Sequence, residues 1–200
     1  MIDSKEKLRT AYPPAKERSV KKEIRHLDRH CLRFVSLSPF LVLSSGSTEN
    51  RYDASPRGGE PGFVKAPDAH TLLIPDAPGN NRLDTLENII ATGRIGLLFL
   101  VPGVDETLRV NGRARLTDEA ALLGLFKDEK RAPKVVIEVK VEDVYLHCAK
   151  ALMRSKLWDA RRQVERSVLP SMGQMLADQI GEPALAETQA QMVERYKADL

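Results

Sequence analysis

Thr107-Leu108-Arg109-Val110-Asn111-Gly112-Arg113-Ala114-Arg115-Leu116 alternates in polarity, with Leu108, Val110, Ala114 and Leu116 facing one way. Successive side chains of a strand point to opposite faces, so this stretch reads as a strand with one face on a core. Downstream, Val135, Ile137, Val139 and Val141 alternate with Val136, Glu138, Lys140 and Glu142, a second half-exposed strand that Asp143 to Cys148 prolongs or follows. Upstream, Ile95 to Val101 is a nearly continuous apolar run that ends at Pro102-Gly103, which predicts a strand buried on both faces. Further back, Leu41-Val42-Leu43 ends at the turn cluster Ser44-Ser45-Gly46-Ser47. Phe63-Val64-Lys65 and Thr71-Leu72-Leu73-Ile74 are strand candidates, with Ala66-Pro67-Asp68 between them as a turn. About seven short strands with helices inserted at intervals do not alternate as a doubly wound sheet would; they predict a small antiparallel barrel, mainly β in an α+β chain.

Helices flank these strands. Ser4-Lys5-Glu6-Lys7 starts a short helix broken at Pro13-Pro14. Val20, Ile24, Leu27 and Cys31 form one apolar stripe and predict a second helix from Lys16 to His30, with His26 and His30 sharing a solvent-facing side; Phe34-Val35 then leads to Ser38-Pro39-Phe40. Asn81 to Ala91 reads as a helix with Leu83, Leu86 and Ile90 on one face. Thr117-Asp118-Glu119 caps another that runs through Phe126. Leu169 to Ile180 and Ala184 to Tyr196 are helical around a Gly181-Glu182-Pro183 break. The expected organisation is one domain over residues 1–200: N-terminal helices in 1–33, barrel core in 34–160, C-terminal helices in 161–200.

The chain of 200 residues carries 31 basic and 28 acidic residues, a net charge of +3, too balanced to call for nucleic acid. The more basic stretch Lys16 to Arg29 reads as the solvated face of a helix. No signal-type apolar run opens the chain, and Ile95 to Val101 is too short to span a bilayer, so a cytoplasmic setting without membrane contact is the expectation. Cys31 and Cys148 give neither a disulfide framework nor a metal pattern, and His147-Cys148 lacks further groups to complete a metal or nucleophile site. Phosphate-loop, dinucleotide, zincin and nucleophile-elbow motifs are absent from the sequence.

The chemistry concentrates in Asp53-Ala54-Ser55-Pro56-Arg57-Gly58, Ile74-Pro75-Asp76 and Gly79-Asn80-Asn81-Arg82. Arginine offers a planar fork of donors to phosphate oxygens, and glycine and proline turns let backbone N–H groups approach an anion. Alone, Ser55 to Gly58 reads as a surface turn; the following Gly58-Gly59 and Pro61-Gly62 clear side chains from a longer stretch and make Arg57 a ligand candidate. Asn80 and Asn81 stand equally as helix caps or anion ligands. Arg82, expected in a first helical turn where a cation opposes the dipole, points to an anion site. Thr107, Arg109 and Asn111 make either the wet face of a sheet or, for Thr107 and Arg109, cofactor contacts. After the last strand, Lys150 and Arg154 share a helix face, and Trp158 is either core or a group stacking on a flat ligand.

From about Leu27 to Trp158 the order of these segments resembles the pyridoxamine 5′-phosphate oxidase-like family of FMN-binding split barrels. Ser38-Pro39-Phe40, Pro61-Gly62-Phe63, Leu98-Phe99 and the His147 to Trp158 run belong to the same likeness, which is greatest to a bacterial subgroup of FMN-dependent flavoproteins. The resemblance implies a six-stranded split barrel and a homodimer with FMN at the subunit interface. It implies that Ser55, Pro56 and Arg57 lie along the flavin and its phosphate, and that Ile74, Pro75 and Asp76 meet the ring. Asn81 and Arg82 match a phosphate-binding Arg-Lys pair with Asn in place of the first cation, and Thr107 reaches the cofactor from the partner subunit. The C-terminal aromatic and arginine residues of the oxidases have no counterpart in Gly181 to Leu200, which argues against pyridoxamine phosphate as substrate. The expectation is an FMN-dependent oxidoreductase with a small-molecule electron donor and acceptor and no assigned general acid or base. The alternatives are a non-enzymatic flavin carrier or sensor, or a site for deazaflavin or haem.

Overall fold

The computed structural model describes residues 1–76, 79–183 and 187–197. Seven strands form one antiparallel sheet: β1 (Phe40–Gly46), β2 (Tyr52–Gly58), β3 (Lys65–Asp68), β4 (Thr71–Pro75), β5 (Arg94–Leu100), β6 (Thr107–Thr117) and β7 (Val136–His147). Their order is β2-β1-β5-β6-β7-β4-β3, so β2 and β3 are the two edges and the sheet stays open, as a split barrel does. The helices are α1 (Lys5–Ala11), α2 (Glu17–Lys21), α3 (Arg29–Leu37), α4 (Asp84–Thr92), α5 (Ala120–Leu123), α6 (Lys150–Ser155), α7 (Met172–Ile180) and α8 (Gln189–Lys197). The start of the last expected helix, Ala184 to Ala186, lies outside the described residues.

The core is the face the alternation predicts. Leu41 and Leu43 of β1, Ile95, Leu97 and Phe99 of β5, and Leu108, Val110 and Ala114 of β6 pack in one cluster with Leu72, Ile74, Ile137, Val139, Val141 and Val144. Leu27, Cys31 and Val35 close it from the N-terminal side. At the Asn111/Gly112 bulge the β6–β7 register shifts, and the sheet bends there.

Several local expectations are corrected. The helix expected over Lys16–His30 stops at Lys21. Ile24 instead exchanges two backbone hydrogen bonds with Val144 (3.1 and 2.8 Å), and the Asp28 carboxylate accepts from the His30 and Cys31 N–H groups to start α3. The cap and the sheet bridge outweigh the helical spacing of the stripe: Leu27 and Cys31 are core, whereas Val20 is exposed. His26 therefore shares no helix face with His30.

Strand β3 begins two residues later than expected, and the turn falls at Ala69-His70, where the Asp68 carboxylate accepts from the His70 N–H at 2.6 Å. Pro67 and Pro56 both sit on edge strands, where a missing N–H leaves no sheet bond unmade. On α4 the buried face is Thr85, Leu86 and Ile89, while Leu83 and Ile90 are exposed. Only alternate residues of β5 are fully buried; Gly96, Leu98 and Leu100 are half-exposed on the other face. Conversely, Val136 to Val139 of β7 are all buried, because Phe126 covers Val136 and Leu73 on the second face.

Candidate functional site

Strand β2 divides its side chains between two surfaces. Directly opposed residues of an antiparallel pair point to the same face. Ser45 pairs with Asp53, Leu43 with Ser55 and Leu41 with Arg57, so Asp53, Ser55 and Arg57 line the inner, core-side face at the sheet's edge. Ala54 and Pro56 point outward and are exposed.

The inner row is tied to α4. The Asp53 carboxylate accepts from the Ser55 hydroxyl (3.0 Å to each oxygen) and from the Thr85 hydroxyl in the first turn of α4. Asn88 Nδ2 donates to Ser45 Oγ (3.0 Å), and the Thr92 hydroxyl donates to the Gly46 carbonyl (3.1 Å), which fixes the helix against β1. At the end of the row, Arg57 Nη1 donates to the Pro56 carbonyl at 2.9 Å, while Arg57 Nε is buried with no hydrogen-bond partner. An unsatisfied buried guanidinium N–H is costly, and an anionic ligand is the natural group to satisfy it.

Asp76 approaches the same corner from the end of β4. Burial pushes its carboxyl above the usual carboxylate range, and the positive charge of Arg57 partly offsets this. Its N–H donates to the Val135 carbonyl at 3.0 Å. Ile74 is fully buried in the core, so only its backbone can meet a ligand, and Pro75 is half-buried.

The Gly79-Asn80-Asn81-Arg82 stretch precedes α4 rather than forming its first turn. Asn80 Oδ1 accepts from the Arg82 N–H at 3.0 Å, and Asn81 takes a left-handed φ of 59°. Arg82 Nε pairs with Asp84 Oδ2 at 2.6 Å, and the Arg82 side chain is 79% exposed. Asp84, at the start of the helix, thus supplies the negative charge the dipole favours; the Arg82 cation is already compensated within the chain. The glycine after β2 also has a structural cause: a Cβ on Gly59 would lie 2.7 Å from the Phe63 Cβ, so glycine there lets Phe63 seat in the core.

Thr107 and Arg109 lie on the other surface. Pro56, Val42, Leu98, Arg109 and Tyr145 form one row across the outer face, and Gly58, Phe40 and Leu100 lead toward the Thr107–His147 pair in the next. Thr107 is buried and Arg109 exposed, and Arg109 Nη1 donates to the Tyr145 hydroxyl at 2.9 Å. Past β7, α6 carries Lys150 and Arg154, both exposed. Trp158 folds back so that its Nε1 donates to the Val104 carbonyl at 2.9 Å, and with Phe40, Leu100, Pro102, Gly103, Leu157 and Gln163 it lines a mostly apolar cleft of about 570 Å³.

The sequence-selected residues thus separate into three groups. Ser55, Arg57 and Asp76 gather at the inner corner, and Arg82, whose N–H is held by Asn80, lies near enough to feel the charge of Asp53; Pro56, Thr107 and Arg109 share the outer face; Trp158 lines the cleft with Phe40. Thr85 and Tyr145 stand outside the stretches the sequence singles out for chemistry, and Asp53 and His147 stand inside them without being ligand candidates. The period-two run Asp53-Ser55-Arg57 carries the signal that would have included Asp53. Among the described residues no cluster of His, Cys, Asp and Glu fits a metal ion, and no helix is long and apolar enough to cross a membrane.

The family model for pyridoxamine 5′-phosphate oxidase matches residues 27–148. Among solved structures, HupZ of Group A Streptococcus superposes with a TM-score of 0.51 at 15% identity, over 60% of this chain and 92% of that one. A single-residue variant of HupZ gives the same TM-score and identity over 60% of this chain and 99% of that one. A candidate pyridoxamine 5′-phosphate oxidase from Lactobacillus delbrueckii gives 0.48 at 15% identity, over 61% of this chain and 95% of that one. At these identities the likeness concerns the fold. No protein of curated function matches the chain.

Proposed function

Because the chain belongs to the pyridoxamine 5′-phosphate oxidase family, we propose that it binds FMN and acts as an FMN-dependent oxidoreductase on a small-molecule donor and acceptor. The observation that carries this reading is the buried, unpartnered Nε of Arg57 at the inner corner. An oxyanion suits that donor, and the fit extends to the polar groups around it. Arg57, with Asn80, Asn81 and Arg82 beside it, would hold the phosphate. Ser55, Pro75, Asp76 and the backbones of Pro56 and Ile74 would border the ring and its ribityl chain. FMN, when bound, supplies the electron- and hydride-transfer chemistry, and the protein supplies binding, orientation and electrostatics.

The two faces of the sheet bear on assembly. Thr107 and Arg109 point away from Arg57, about three strand spacings or 14 Å across the sheet. One ligand cannot touch both sets within one chain. A second copy that lays its outer face over the inner corner of the first would bring them together, and the half-exposed apolar residues Phe40, Val42, Leu98 and Leu100 give that contact an apolar centre. The reading therefore includes a homodimer in which Thr107 and Arg109, with Lys150, Arg154 and Trp158 at their margin, approach the cofactor held by the partner.

Titrating FMN into flavin-free protein while following flavin fluorescence tests the reading. Saturable quenching at one FMN per chain is expected, and fluorescence that stays at the free-FMN value throughout would contradict it.

A further inference from the structure

Four side chains outside the inner corner form a cationic, aromatic cluster on the outer face. Arg109 Nη1 donates to the Tyr145 hydroxyl at 2.9 Å, and its guanidinium carbon lies 5.7 Å from the Tyr145 ring centroid. Lys22, which follows α2, places its Nζ 4.9 Å from the same centroid while donating to the Leu146 carbonyl at 2.6 Å. The His147 ring stands 4.9 Å from that of Tyr145, tilted by 50°. Both cations therefore converge on one neutral ring.

Their lack of counter-charge sets them apart from the other lysines and arginines of β5, β6 and β7. Arg94 and Arg113 pair with Glu142, and Arg115 and Lys140 pair with Glu138. Neither Lys22 nor Arg109 has a carboxylate partner among the described residues, and the nearby Asp143 carboxylate is engaged by Asn111 Nδ2 at 2.8 Å. The two positive charges are felt by their neighbour: burial first, then Arg109 and Lys22, hold the His147 imidazole below its usual range, so it stays neutral at pH 7. Like charges packed around a neutral phenol and a neutral imidazole raise the free energy of the empty chain, and a bound anion relieves it.

We propose that Lys22, Arg109, Tyr145 and His147 form a subsite for an oxyanion of the substrate, a carboxylate or phosphate, on the side of the site opposite the flavin phosphate. Its place beside the ring rests on the flavin reading above; its affinity for an oxyanion does not. Arg109 and Lys22 supply charge, and the Tyr145 hydroxyl and the His147 imidazole supply neutral hydrogen-bonding groups. The reduced or oxidised partner of the flavin is then an acid or a phosphate ester rather than an uncharged hydrocarbon-like molecule.

The test follows the His147 ring resonances of isotopically labelled full-length protein during titration with inorganic phosphate, and separately with acetate, at pH 7. A saturable shift with half-effect near about 1 mM is expected, together with a rise of the His147 pKa toward its usual value. Arg109→Gln and Lys22→Gln should each weaken the response about tenfold; Lys22 is a surface side chain, so its variant stands even if the Arg109 variant folds poorly. No saturable shift up to tens of millimolar, or an unchanged response in both variants, would overturn the subsite. The titration is repeated with FMN bound. A response that persists assigns the oxyanion to a substrate, and one that FMN abolishes overturns that assignment in favour of the flavin's own phosphate. Should the protein take up no FMN, the flavin-free titration alone decides the subsite.

Discussion

Arg57 on edge strand β2 and Asp76 at the end of β4 meet across the open seam of the sheet, close enough that the guanidinium draws down a carboxyl that burial pushes up. The seam therefore holds a cation whose Nε lacks a partner and a half-buried acid reluctant to ionise, two groups left incompletely satisfied by the fold itself.

The Asp76 carboxyl has a folded pKa above the 3.8 of the free group. In the window just above that value the native state binds the proton more readily than the unfolded chain, so this contribution to stability is largest in acid and is lost as pH rises through the folded pKa. Asp76→Asn should remove that pH dependence and leave neutral-pH stability equal or higher by up to about 1 kcal/mol. Urea unfolding at pH 4 and pH 7 checks this, and a marked loss of stability at pH 7 would show that the charge of Asp76 supports the fold.

Removing the Arg57 side chain should weaken FMN binding by roughly 10- to 150-fold, the worth of a charge-assisted hydrogen bond. Arg82→Ala should weaken it less, because the Arg82 guanidinium is exposed and already paired with Asp84. FMN titrations of the two variants side by side compare them; the reverse order would move the phosphate to the Arg82 end of the site.

Most of the sheet was legible in the sequence because its alternation is strong: the core-facing residues expected of Leu108, Val110, Ala114, Ile137 and Val139 are buried. What was not legible depends on tertiary contacts. The stripe Val20-Ile24-Leu27-Cys31 has helical spacing, yet Ile24 bridges to Val144 more than a hundred residues away, and the Asp28 cap restarts the helix. The Arg82–Asp84 pair is the exception, a local contact between residues two apart whose charges the sequence already shows. The division of Ser55 and Arg57 from Pro56 is the alternation of one strand, but their division from Thr107 and Arg109 follows from the pairing of β2 to β6 through β1 and β5, which one sequence does not specify. The Lys22–Tyr145–His147 cluster joins segments far apart in sequence and left no local trace.

The two thiols should differ sharply in reactivity. Burial, then the hydrogen bond and negative charge of Asp28, push the Cys31 thiol up to about 12, whereas Cys148 is exposed. A thiol reagent at pH 8 should label one cysteine per native chain rapidly and the second only on unfolding. Mass mapping that finds Cys31 labelled first would contradict the packing of α3.

Opposite the bulge of β7, where Glu142 is the extra residue, a Cβ on Gly112 would lie 2.1 Å from the Lys140 carbonyl oxygen. That neighbour is backbone in the central β6–β7 ladder and cannot swing aside. Gly112→Ala should cost about 3 kcal/mol or more, measured as a fall in the urea midpoint; a change within about 0.5 kcal/mol would contradict the close approach of Gly112 to the Lys140 carbonyl.

The most direct test of the flavin assignment is the visible absorption spectrum of the purified protein, taken with mass identification of whatever acid releases. Oxidised-flavin bands and released FMN are the expected result. A colourless protein that takes up no added FMN would contradict it, leaving the family membership as a statement about fold alone.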